Sequence, residues 1–201
     1  MTELDGTWFA VRTGSATWGE IVVHDGVARA RSLRGDDAVG ASITLLPEPG
    51  PALVAEVAQG DATLRLVLLP NRGGLTAFIP GSRATVHAWR STPVPASLHG
   101  AWLLEPLDGG RARPLALTAD GAVLDEVESR AVRLGTDTEP ELLLIPPADS
   151  GEEPQRLVLT ALTDGTWLVC PAPETLRAYA LYRDGSRPAL LGELRRSRAE
   201  P

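Results

Sequence analysis

Leu4-Asp5-Gly6-Thr7-Trp8 and Leu98-His99-Gly100-Ala101-Trp102 open two stretches of this chain with one pattern, Leu-x-Gly-x-Trp, and the two stretches stay in step to their ends. The turns Asp25-Gly26 and Asp120-Gly121 follow at matching places. Leu64-Arg65-Leu66-Val67-Leu68 lies over Gln155-Arg156-Leu157-Val158-Leu159, and Gly73-Gly74 over Asp164-Gly165. Phe78-Ile79-Pro80 lies over Val169-Cys170-Pro171, and each copy closes on an aromatic followed by arginine, Trp89-Arg90 and Tyr182-Arg183. A period of about 90 residues exceeds that of solenoid and propeller repeats, so a whole small domain is duplicated.

Within the first copy, short apolar or alternating runs are broken by turn residues about every eight to twelve positions, the spacing of sandwiches and barrels. The runs Trp8 to Val11, Trp18 to Val23, Val27 to Ala30, Ser42 to Leu46, Leu53 to Val57, Leu64 to Leu69, Leu75 to Ile79 and Thr85 to Trp89 read as strands. The second copy is broken at Pro106 to Gly110, Asp120-Gly121, Gly135 to Pro140, Pro146 to Pro154, Asp164-Gly165 and Pro171 to Glu174. Most of the 17 prolines and 20 glycines fall between runs, where proline spares the strand ladder and Asp-Gly suits tight hairpins. The expected fold is therefore all-β: two tandem antiparallel meander β-barrels of about eight short strands each, with a short C-terminal helix. The expected domains are 1–92, a proline-bearing linker 93–97, a second barrel 98–185 and a tail 186–201.

Gly6-x-Trp8 and Gly100-x-Trp102 on the first strands, with Arg90 and Arg183 on the last, resemble the calycin (lipocalin-like) barrel signature. That resemblance implies a tryptophan covering one barrel end with an arginine packed across its indole. A barrel closes only if its first and last strands pair, and a cation over an indole adds about 0.5 to 2 kcal/mol at that seam. Gly6, Trp8, Arg90, Gly100, Trp102 and Arg183 are accordingly read as barrel closure.

At 43% hydrophobic and 22% charged residues, the composition is that of a globular protein, not a disordered one. All 19 basic residues are arginine, which reads as coding bias of a GC-rich genome. A net charge of -7 argues against nucleic acid or an anionic membrane as main partner, because phosphate binding draws on clustered positive charge. No basic n-region or apolar h-region precedes the first strand, and no apolar run reaches the length of a membrane span, so a cytoplasmic location is expected. Cys170 is the single cysteine and rules out an internal disulfide; its apolar run Trp167-Leu168-Val169-Cys170 predicts a buried structural thiol.

Catalytic motifs are absent from the reading. His24, His87 and His99 have no histidine counterparts in the other copy and no metal-ligand spacing, so no metal, no cofactor and no catalytic residue is assigned. Asp36-Asp37, Glu126 with Glu128, and Glu152-Glu153 read as solvated carboxylates. The candidate ligand contacts are the large aromatics Trp18, Trp89, Trp167, Tyr179 and Tyr182. Trp18, Trp89 and Trp167 have no tryptophan opposite them in the other copy, and the competing reading is that they fill core space. In the tail, Leu190, Leu191, Leu194, Arg195 and Arg196 have the spacing of a short helix. Leu191-Gly192-Glu193-Leu194-Arg195-Arg196 also resembles the tags that load cargo into encapsulin shells.

Three functions follow as expectations. The first is a non-catalytic binding or assembly module that takes a small apolar ligand or a protein partner in a barrel cavity or the groove between repeats. The second is an enzyme similar to lipocalin-like cyclases and pericyclases, which fold a substrate in an apolar cavity with few ionisable groups. The third is a cargo protein docking through its tail. A barrel filled by its own side chains in both copies would eliminate the second.

Overall fold

The computed structural model describes residues 4–13, 18–33, 38–46, 52–71, 73–136, 140–162, 165–172, 178–186 and 188. Two compact units divide at Ser91 and Thr92. The first contains β1 (Gly6–Arg12), β2 (Trp18–His24), β3 (Val27–Ser32), β4 (Ala38–Leu46), β5 (Leu53–Gln59), β6 (Ala62–Asn71), β7 (Gly74–Phe78) and β8 (Thr85–Arg90). Each strand pairs antiparallel with the next, and β8 returns to β1 through Trp8 opposite Arg90 and Ala10 opposite Ala88, closing the barrel. The second contains β9 (Gly100–Pro106), β10 (Arg113–Leu117), β11 (Gly121–Leu124), β12 (Val127–Gly135), β13 (Pro140–Ile145), β14 (Gln155–Ala161), β15 (Trp167–Ala172) and β16 (Tyr179–Arg183). It closes in the same way, with Leu181 opposite Leu104 and Arg183 opposite Trp102. The fold is thus all-β, two closed eight-stranded antiparallel barrels in tandem, as the strand pattern predicts. The residues of the expected C-terminal helix lie outside the described residues.

The Leu-x-Gly-x-Trp opening explains how each barrel is stoppered at one end. Gly6 and Gly100 adopt φ of +135° and +116°, a region that side-chain-bearing residues rarely enter. The chain therefore doubles back, and the indole N–H of Trp8 donates to the Leu4 carbonyl at 2.8 Å, while that of Trp102 donates to the Leu98 carbonyl at 2.7 Å. Leu4 and Leu98 are buried beneath their indoles, so leucine and tryptophan together plug the end. The guanidinium carbon of Arg90 lies 5.0 Å from the Trp8 ring centroid, and that of Arg183 lies 3.9 Å from Trp102. Arg183 also donates to the carbonyls of His99 and Ser97, tying the last strand to the segment before the first. Replacing Arg183 by methionine keeps the apolar stem and removes these contacts; it is expected to cost about 2 kcal/mol, the sum of a cation–π contact and a charged hydrogen bond. Urea denaturation checks this, and a loss below about 0.5 kcal/mol, the scatter of ordinary surface substitutions, contradicts it.

Residues 92–98, read from the sequence largely as linker, are structurally part of the second barrel. Thr92 and Arg133 exchange backbone hydrogen bonds, and the Val94 N–H donates to the Ala119 carbonyl at 2.8 Å. Val94 is buried in the same apolar cluster as Trp102 and Leu117. A short 3-10 turn, Ala96–Leu98, then delivers Leu98 under the barrel.

Candidate functional site

Strand alternation decides which side chains point inward, and the paired registers let the two interiors be compared position by position. Trp8 faces Ile21 as Trp102 faces Leu115, and Ala55 faces Leu66 as Leu142 faces Leu157. On this registration the first barrel has Ala10, Ala30, Ala55, Ala77 and Ala88 where the second has Leu104, Leu124, Leu142, Val169 and Leu181. An eight-stranded barrel is just wide enough for its own side chains to fill or for one small ligand, so side-chain size decides between the two.

The second barrel is filled below its mouth. Leu104, Leu115, Leu117, Leu142, Leu157 and Leu159 converge in one cluster, and none is more than 3% exposed. Trp167 and Tyr179 pack against that cluster from inward positions. Above it, at the end away from Trp102, is a depression of about 210 Å³ lined by Leu124, Leu144, Arg113, Asp125, Glu152 and Glu153, among others. Arg113 and Asp125 are ion-paired there, and Leu124 and Leu144, which line it, are inward residues, so the depression is the mouth of the second barrel's own interior.

The inner wall of the first barrel is more accessible. Near Trp8 its interior is closed by Leu4, Val23, Ala28, Ala55 and Leu68. Towards the other end, inward positions become accessible: Ala41, Ala77 and Ala88 are half-buried and Ala30 is exposed. Val39, opposite Ala30, is 45% exposed, and Leu64, opposite Val57, is 42% exposed. The accessibility extends below the rim, since inward Ile21 and Leu66 are only half-buried where the matched Leu115 and Leu157 are buried. The result is an apolar cup, stoppered by Trp8 and more accessible towards the end of the barrel away from it.

The aromatics singled out in the sequence are not brought to one site. Trp18 and Trp89 lie on the outer side of the first barrel, both buried, with ring centroids 5.8 Å apart. His87 stacks at 6.0 Å from Trp89 and shares a 3.1 Å hydrogen bond with Thr76, which also accepts from the Asn71 amide. Tyr182 is on the outer side of the second barrel, where its hydroxyl donates to buried Glu105 at 2.6 Å. Leu190, Leu191, Leu194, Arg195 and Arg196 lie outside the described residues. His24 is exposed beside Asp25, and the ring Nε2 of His99 donates to the Val94 carbonyl. Among the described residues no three acidic, histidine or cysteine side chains are grouped to hold a metal. Cys170, expected to be buried, is exposed: alternation turns Val169 into the second barrel and therefore Cys170 out of it.

The alanines that open the cup were missed in the sequence reading. Their signal was available as small residues on inward positions of one copy where the other has leucine, but it needs the strand registers to be read. Fold and site together define a tandem β-barrel protein with one leucine-packed interior and one more accessible, alanine-lined interior. No family model, no curated protein and no solved structure matches this chain. No helix among the described residues is long and apolar enough to cross a membrane.

Proposed function

We propose that the protein is a non-catalytic binding module whose first barrel takes a small apolar ligand, and that both barrels are calycin-like. The exchange of large side chains for alanine at five matched inward positions carries this reading. Open apolar surface costs free energy in water, and an apolar ligand that covers it recovers about 25 cal/mol per Å². The packed second barrel then serves as a scaffold, consistent with its leucine-filled interior. The calycin-like description is supported by the indole plug and the arginine across it in both units.

The test restores the second barrel's side chains in the first. Wild-type protein is expected to bind the neutral fluorophore N-phenyl-1-naphthylamine at one site, with the blue-shifted emission of an apolar environment. Ala30→Leu and Ala88→Leu are expected to weaken that binding about tenfold or more each, a change of about 1.4 kcal/mol. Near-ultraviolet circular dichroism checks that both variants stay folded. Absence of probe binding to wild-type protein, or binding indifferent to both substitutions, sinks the reading.

A further inference from the structure

The inner wall of the first barrel is apolar until its mouth, where one charge interrupts it. Arg12, the last residue of β1, follows Trp8 and Ala10 on the inward side of the strand and sits opposite Val86, itself in phase with inward Ala88. Arg31 and Arg65 face outward and pair with Glu20 and Glu56, and inward Arg90 is held over the Trp8 indole at the stoppered end. Arg12 is exposed and has no acidic partner among the described residues.

The surroundings of Arg12 add to its field. Thr13 donates its N–H to the Thr85 carbonyl at 2.9 Å, and the two hydroxyls are hydrogen-bonded, so the end of β1 is clamped to the start of β8. Arg83 stands two residues before Thr85, in the β7–β8 connection, and also lacks an acidic partner among the described residues. The nearest acid in a described rim turn is Asp61, between β5 and β6, three strands away around the barrel by way of β8 and β7. Among the described residues, the part of the mouth formed by the end of β1 and the β7–β8 connection is therefore cationic.

The geometry points to an amphiphilic ligand: an anionic head, best a carboxylate, held by Arg12 at the mouth, with its apolar part along the alanine-lined wall. This rests on the binding reading above. A guanidinium offers a forked donor set that matches a carboxylate in two parallel hydrogen bonds. Arg83 contributes longer-range attraction that salt screens. The cup also limits length. Arg12 and Trp8 are four residues apart on β1, about 13 Å along a strand, and a barrel tilt of about 40° leaves roughly 10 Å of depth. A medium-length acyl or an aryl acid fits that depth, and a long lipid tail does not.

Competition against N-phenyl-1-naphthylamine with decanoate, decanol and decylamine tests the head group on the full chain. Decanoate is expected to displace the probe about tenfold more tightly than decanol, with decylammonium weakest, about 1.4 kcal/mol between acid and alcohol. Arg12→Gln is expected to bring the ratio of acid to alcohol affinity to about one. Equal binding of decanoate and decanol to wild-type protein, or an acid preference that survives Arg12→Gln, overturns the head-group assignment while leaving apolar binding intact. Failure of the probe and of all three competitors to bind overturns both.

Discussion

Gly74→Ala is expected to unfold the first barrel or to remove more than about 3 kcal/mol of its stability. Gly74 opens β7 directly opposite Trp89. A Cβ built there would lie 2.1 Å from the Ala88 carbonyl oxygen and 3.0 Å from the Trp89 Cα. Both are backbone atoms of the adjacent strand, so no side-chain rotation relieves the overlap, and β7 has to part from β8. Because β8 also closes the barrel onto β1, the strain reaches the seam beside Trp8. Its neighbour Gly73 serves a different need, a turn φ of +74°. Gly40 in β4 is the control: nothing lies within 4 Å of its added Cβ, and Gly40→Ala is expected to change stability by less than about 0.5 kcal/mol. Chemical denaturation of both variants checks the contrast, and equal stabilities would refute the close approach.

Leu142→Ala in the second barrel is expected to cost about 2 to 5 kcal/mol. Leu142 is fully buried, opposite Leu157, in a cluster with no accessible member at its level. Removing its isobutyl group forfeits the transfer free energy of burial and leaves a void that neighbours from other strands cannot collapse into without breaking the ladder. The first barrel has alanine at the matched position, Ala55, on the same scaffold. The variant thus makes the packed barrel resemble the open one at one position, and its loss of stability measures what that position contributes when filled. A denaturation midpoint unchanged from wild type would show that the second barrel is not packed around Leu142.

Much of this fold was legible in local patterns, and the exceptions are instructive. Asp25-Gly26 announces its hairpin, because both residues take positive φ, 49° and 77°, which Asp and Gly tolerate. The turn between β11 and β12 went unread: Asp125 and Glu126 also take positive φ, 49° and 70°, but no glycine marks the place. There the antiparallel pairing of Leu124 with Val127 imposes the turn against local preference. Segment 93–97 looked like a linker because its prolines are visible, whereas what holds it, Ala119 on Val94 and Arg133 on the adjoining Thr92, comes from distant turns and strands. Cys170 looked buried from its apolar neighbours, but a period of two puts only every second residue inside.

The sequence by itself determined that there are two barrels, how each is stoppered and how each is sealed, since those features rest on a period-two pattern, a glycine able to reverse the chain and a repeated Trp with a distant Arg. Only the tertiary structure decided that one barrel has a buried, leucine-filled interior and the other a more accessible one. The space inside a barrel is shared by all eight strands, so whether an alanine leaves it empty depends on residues that meet there from every strand, and strand register alone says which those are.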